Sequence, residues 1–341
     1  MSNIDIVESL YEREEEICKF MFKISGFFDE VSPKLEEQLA AMQTLGMRYL
    51  CPRNVNGKNI AQYSLQSFRQ DVKPALLKQG VQLSSIGSPI GKIDLTDEKA
   101  YQAQLKQLRE LLAIAQEMEC AYIRVFSFFT AKAAGEDRLL ERVAEKVNGF
   151  LKLAEGSGVT LIHENEKRIY GDTPEKALAL YNALNHPGFA LCYDASNYIQ
   201  CGVDSWEAHR QTKRYTVYYH MKDCAEGIEV PLGTGEGRIP ELLADLNASG
   251  YGGFLTLEPH TLQYALLKRA FRLLPFATNT RRGRVFRQID REMGVKGLQP
   301  VSRAQVFAWQ HQNLVSMLEE IGGQYAVSYT HLRAHETDQY L

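Results

Sequence analysis

Disulfide and zinc-knuckle chemistry is the first thing this 341-residue sequence leaves out. Its six cysteines, Cys18, Cys51, Cys120, Cys192, Cys201 and Cys224, are scattered singly, and no two are spaced C-x-x-C. That usage fits a reducing cytosol rather than a disulfide framework. No apolar run reaches the roughly 18 residues that a membrane-spanning helix needs. The N-terminus, MSNIDIVESLYEREEEICKF, is acidic and has no apolar stretch of the kind a signal peptide carries, so a cytoplasmic location and no membrane partner are expected. There is no basic excess either: 39 Lys and Arg against 42 Asp and Glu give a net charge of -3. A general nucleic-acid binder usually shows the opposite balance. Neither G-x-G-x-x-G after the first strand nor GxxxxGK[ST] occurs, which argues against dinucleotide and P-loop folds.

What is present is an ordinary globular composition, with 45% hydrophobic and 24% charged residues. The last residues are set aside. Val327–Thr337 resembles one reading frame of a transposon-type sequencing-library adaptor, so 327–341 is read as an artefactual tail. His331 and His335, which mimic a helical metal pair, are discounted with it. Residues 1–19 are expected to form an N-terminal helical segment.

Short β-rich runs alternate with amphipathic helical stretches. The expected strands are Phe20–Ser25, Met47–Cys51, Val81–Ile86, Ala121–Phe126, Val159–Glu164, Phe189–Asp194, Thr216–His220 and Gly253–Glu258. They begin roughly 27 to 40 residues apart, a length that suits a strand–loop–helix–loop unit. Ser32 and Pro33 predict the start of the first helix, and Gly46 its end. Tyr101, Leu105, Leu108, Leu112 and Ala115 form one apolar stripe. Thr173–Pro174 and the capping box Ser302-x-x-Gln305 open later helices. Eight such units predict a parallel (β/α)8 TIM barrel: one domain over 20–326, with an insertion at 261–300 and a closing helical extension at 302–322.

The last four strands carry the chemistry. They read VTLIHENE, FALCYD, TVYYHMKD and GFLTLEPH, and reach Glu164, Asp194, His220 and Glu258. Side chains alternate along a strand. Thr160, Ile162 and Glu164 therefore share a face, as do Ala190, Cys192 and Asp194; Tyr218 and His220; and Phe254, Thr256 and Glu258. The other faces are mostly apolar and suit the helix layer. Three carboxylates and an imidazole at one barrel mouth need compensation, which a divalent cation supplies. Three oxygen donors and one nitrogen, with no thiolate, suit Mn²⁺, Mg²⁺ or Co²⁺, with Zn²⁺ also admissible.

Together HEN at 163–165, YDASN at 193–197, HMKD at 220–223, GTGEG at 233–237 and LEPH at 257–260 resemble the xylose isomerase-like TIM-barrel superfamily of sugar and sugar phosphate isomerases and epimerases. The resemblance covers about residues 20–260. It implies one metal held by Glu164, Asp194, His220 and Glu258, with the two glutamates also acting as the acid/base pair. The implied reaction is α-proton abstraction from a sugar, sugar phosphate or keto-acid through a metal-stabilised enediolate. Such general acid–base catalysis is typically worth ~10²–10⁴ in rate. The superfamily often forms homo-oligomers.

Arg53, Lys92, Arg124, Asn197 and Lys222 are the candidate substrate-binding residues. Arg124 is favoured, because a charge within the apolar strand YIRVFSFF should face the lumen. His163 falls on the outward face and is not taken as a ligand; His260 is left unassigned. The GTGEG loop either approaches the substrate or simply turns. Inosose-type dehydration uses the same metal and the same proton removal, and is the nearest alternative. An endonuclease-type phosphodiesterase needs further histidines, absent from CPRN and SSIGS, and position 197 is Asn. The basic run from Lys268 to Arg291 is the one feature favouring nucleic acid. A non-catalytic sugar-binding relic would not be expected to keep all four ligands.

Overall fold

The structure, a computed structural model, describes residues 21–133, 135, 137–260, 264, 280–296 and 300–326. The expectations for 1–19 and for 327–341, including His331 and His335, lie outside the described residues, as do Lys268, Arg269 and Arg272 of the basic run.

Eight parallel strands form one sheet. They are β1 (Lys23–Gly26), β2 (Tyr49–Leu50), β3 (Gln82–Leu83), β4 (Tyr122–Val125), β5 (Thr160–Glu164), β6 (Phe189–Asp194), β7 (Thr216–Met221) and β8 (Phe254–Leu257). Their lateral order is β3-β2-β1-β8-β7-β6-β5-β4, the sequence order of a barrel cut open between β3 and β4. The cut is bridged. Three residues beyond β3, Ile86 pairs in parallel with Ile123 of β4. Ile86 donates its N–H to the Tyr122 carbonyl (2.9 Å), and Arg124 donates to the Ile86 carbonyl (3.0 Å). The fold is a TIM barrel. β2 and β3 are shorter than the apolar runs predicting them: Tyr49 and Leu50 of β2 pair with β1 on one side and β3 on the other, and Gln82 and Leu83 of β3 pair with β2 alone.

Register sets what meets at the C-terminal rim. His220 lies opposite Asp194 of β6 and opposite Thr256 of β8, while Glu164 lies opposite Cys192. The alternation rule holds: Ile162, Ala190, Cys192 and Tyr218 pack together inside the barrel, with Tyr122 and Phe254 against them. Above this plug, Tyr218 shares hydrogen bonds with Ser84 and Thr256, and Ser84 in turn with Ser25. This polar layer is buried and satisfied, so it can floor the site without a penalty.

The helices mostly begin where their caps indicate. Thr173 caps Pro174–Leu184, and Ser302 with Gln305 forms the capping box of Arg303–Glu320. The first helix departs from expectation. It runs Leu35–Thr44, after Lys34, with no side-chain cap from its own flank. Ser32 is instead committed to Glu37 (2.5 Å), and the free N–H of Leu35 is taken by Asn56 Oδ1 at 2.9 Å. A cap supplied from a distant loop leaves no local signature in sequence. Within the insertion, Thr280 caps the helix Arg281–Glu292, whose Val285, Phe286 and Ile289 join Val230, Tyr264 and Val306 in a small second core.

Candidate metal centre and active site

Glu164, Asp194, His220 and Glu258 converge at the rim. All four are buried, and one ligand atom from each falls within 4.8 Å of the others. His220 Nδ1 sits between two carboxylates, 3.2 Å from Glu164 Oε1 and 3.2 Å from Glu258 Oε2, with Asp194 Oδ2 at 3.9 Å. The imidazole ring is fixed by edge-on contacts with Phe27 (5.2 Å between centroids) and Tyr218 (5.7 Å).

Three of the candidate cations reach this cluster. Arg124 NH1 lies 3.0 Å from Glu164 Oε2, and its other nitrogens donate to the carbonyls of Gly87 and Ser88. Lys222 Nζ lies 2.8 Å from Asp194 Oδ2 and donates to Asn197 Oδ1 at 3.0 Å. Arg53 NH1 donates to Glu258 Oε1 at 2.7 Å. Asn197 ties the cluster together: its Nδ2 donates to Glu164 Oε1 (3.1 Å) and to the Asn165 carbonyl (2.8 Å). Lys92 stays on the rim, where Nζ pairs with Glu166 at 2.6 Å and covers the Phe126 ring.

Burial and neighbouring charge set each carboxyl of the cluster apart. Burial raises Glu164, but His220 and Arg124 outweigh it and hold the carboxyl down to about 2. Burial likewise opposes Lys222 and His260 at Glu258, which stays well below the usual carboxylate range. Asp194 goes the other way: burial pushes it up to about 6 against the pull of Lys222. Three carboxylates this close repel one another, and Arg53, Arg124 and Lys222 each face one of them. Hydrogen-bond geometry leaves a gap: Glu164 Oε2, Asp194 Oδ2, His220 Nδ1 and Glu258 Oε2 make no hydrogen bond, although Arg124 and Lys222 stand at ion-pair distance from the first two. Buried polar atoms rarely go without a hydrogen bond, and four that face one another could hold a cation. The donor set, three oxygens and an imidazole nitrogen, fits a divalent ion of the Mn, Mg, Co or Zn type.

Sequence reasoning missed the shell around Arg53. Asp29 takes Arg53 as a fork, with Nε–Oδ2 2.9 Å and NH2–Oδ1 3.1 Å, and also accepts from Asn54 (2.6 Å). Phe27 lies under the guanidinium at 4.8 Å. Glu30 is buried beside it, and His260 Nε2 lies 3.0 Å from Glu258 Oε1. Asp29 and Glu30 follow β1 as the polar ends follow the later strands, so the same rule applied to FFDE finds them. His163 packs outside the lumen, bonded to Ser127 Oγ at 2.9 Å, and burial pushes its imidazole down to about 4. The GTGEG loop is a turn built round Asp223, whose carboxylate accepts the N–H groups of Gly233, Gly235, Gly237 and Cys224 at 2.9–3.0 Å.

A family model described as xylose isomerase-like TIM barrel matches residues 39–275. No curated protein matched the sequence. Among solved structures, the chain is similar to an IolI protein with a bound zinc atom (13% identity, 88% of this chain and 99% of that one, TM-score 0.64). It is similar to an L-ribulose 3-epimerase (17% identity, 88% and 95%, TM-score 0.61). It is also similar to a xylose isomerase-like TIM barrel protein from Mycobacterium smegmatis in complex with magnesium (16% identity, 83% and 88%, TM-score 0.59). At these identities the likeness is one of fold.

Proposed function

The chain belongs to the xylose isomerase-like TIM-barrel family, and from that premise we propose that it is a divalent-metal-dependent isomerase or epimerase of a sugar, sugar phosphate or keto-acid. The observation that carries this reading is the convergence of four buried donor atoms, none of them making a hydrogen bond, on one point at the barrel mouth. Glu164, Asp194, His220 through Nδ1, and Glu258 would hold the ion. When bound, the ion supplies a Lewis acid that polarises the substrate carbonyl and makes the neighbouring C–H acidic. That two solved structures of this fold hold zinc and magnesium supports a divalent ion here.

The chain's own residues do the rest. Glu164 and Glu258 are both held ionised, so either can accept a proton. One carboxylate takes the α-proton and the other returns one. Delivery to the same carbon from the opposite face epimerises, and delivery to the neighbouring carbon isomerises. Arg124 and Arg53 each orient one of the two glutamates. Lys222 and Asn197 hold Asp194 and Glu164 in place and offer hydrogen bonds to a hydroxyl, and Lys92 meets the far end of the substrate. The L-ribulose 3-epimerase likeness supports this class of reaction.

The test is α-proton exchange. Wild-type protein loaded with Mn²⁺ and offered a panel of ketoses, keto-acids and inososes in deuterated water should incorporate deuterium, read by NMR. Glu164→Gln and Glu258→Gln should lose at least 100-fold in exchange, at the lower end of what acid–base catalysis contributes (~10²–10⁴). Full exchange in both variants overturns the assignment. Loss of water from the product, instead of an isomer of equal mass, would indicate dehydration.

A further inference from the structure

The closing helix Arg303–Glu320 begins with an arginine, which helix electrostatics disfavours. The N-terminal end of a helix carries partial positive charge, and its first turn favours acids. This first turn contains none. Arg303 spends its guanidinium elsewhere. Nε donates to the carbonyl of Glu30 at 2.5 Å and NH2 donates to the carbonyl of Asp29 at 2.7 Å. Those carbonyls belong to the single helical turn Phe28–Glu30 that follows β1. One turn further along the closing helix, Phe307 stacks on Phe28 with ring centroids 4.5 Å apart. Gly26 permits the approach: a Cβ there would lie 2.6 Å from the Phe307 ring.

The clamped turn leads straight to the metal centre. Its Asp29 grips Arg53 through two nitrogens, and Arg53 NH1 grips Glu258 Oε1 at 2.7 Å. Three links therefore join in series: Arg303 to the Asp29 and Glu30 carbonyls, Asp29 to Arg53, and Arg53 to Glu258. Each is a charged hydrogen bond, the kind that fixes orientation as well as position.

We propose that Arg303 is a positioning residue: by clamping the Phe28–Glu30 turn it sets, through Asp29 and Arg53, the orientation of the Glu258 carboxylate. The catalytic consequence rests on the function proposed above; the structural coupling does not. A carboxylate that moves a proton tolerates little misplacement, and loss of about 1 Å can cost up to 100-fold.

The experiment uses the full chain with Mn²⁺ and has two independent readouts. Amide hydrogen exchange comes first. Arg303→Ala should speed exchange in peptides covering 27–33 and 52–56 by about fivefold or more, with 160–164 and 190–194 unchanged. Arg303→Lys, which keeps the charge and part of the bonding, should fall between. Unchanged exchange at 27–33 and 52–56 in Arg303→Ala, or, if that variant fails to fold, wild-type exchange there in Arg303→Lys, overturns the clamp.

The second readout is turnover of whichever probe ketose exchanges its α-proton. Arg303→Ala should lower kcat about tenfold with KM within twofold, and added guanidinium should restore part of it. In an Arg53→Met background, Arg303→Ala should cost less than twofold further, because the link is already broken. An additive tenfold loss in the double variant shows that Arg303 does not act through Arg53 and overturns the proposal. If the wild type exchanges no probe at all, the isomerase reading fails while the amide-exchange arm still decides the clamp.

Discussion

Arg124 and Glu164 form a closed ion pair inside the barrel mouth, with NH1 3.0 Å from Oε2 and the two side chains 7% and 2% exposed. Removing one partner of a buried pair strands the other charge, at a cost of about 3 to 5 kcal/mol. Arg124→Met should therefore lose on the order of 3 kcal/mol in metal-free protein. The loss should shrink when Mn²⁺ saturates the site, because the ion then faces the same carboxylate. Urea unfolding with and without Mn²⁺ checks this. Equal losses in both conditions would show that Glu164 does not face the ion.

Asp223 organises the GTGEG loop through four backbone N–H groups. Asp223→Ala leaves those donors without an acceptor in a packed setting, and unsatisfied buried groups cost about 1 to 3 kcal/mol each when water cannot reach them. A loss on the order of 3 kcal/mol is expected from denaturant midpoints, with Asp223→Asn costing less. Gly235→Ala should act similarly, since its Cβ would stand 2.4 Å from Asp223 Oδ1. A silent Asp223→Ala would mean that the loop is held by other contacts.

His311 lies on the closing helix, away from the metal cluster, and burial pushes its imidazole down to about 4 from an ordinary 6.5. The folded protein keeps it neutral while the unfolded chain protonates it first. Its contribution is therefore intact above pH 6.5 and is lost as pH falls toward 4. Each tenfold difference in proton affinity between the two states is worth about 1.4 kcal/mol, so stability should drop on the order of 2 kcal/mol from about pH 7 to about pH 5. His311→Gln should flatten that slope. An unchanged slope in the variant would place the acid sensitivity elsewhere.

Much of this architecture was legible because the signals were periodic. Each of the eight strands overlaps its apolar run, and the inward faces follow from alternation along β5 to β8. The convergence of Glu164, Asp194, His220 and Glu258 follows from the same rule applied to four strand ends, and Arg124 reaches Glu164 as a charge in an apolar strand should. What stayed hidden was non-periodic and long-range. Nothing near Leu35 announces that Asn56 will cap it. Nothing near Arg53 announces its fork on Asp29, and nothing near Arg303 announces two carbonyls 273 and 274 positions away. The GTGEG glycines looked like a ligand loop because the acceptor they surround, Asp223, lies ten to fourteen positions upstream.

The proposed chemistry stands or falls with four side chains, at the ends of β5, β6, β7 and β8, holding one divalent ion. Anomalous diffraction at the manganese edge, from crystals grown with excess Mn²⁺, is the decisive check. A single strong peak is expected, bonded to Glu164, Asp194, His220 Nδ1 and Glu258 at about 2.0–2.2 Å, as for comparable first-row ions. Density that leaves those four side chains bare, or places the ion elsewhere on the barrel, would contradict it.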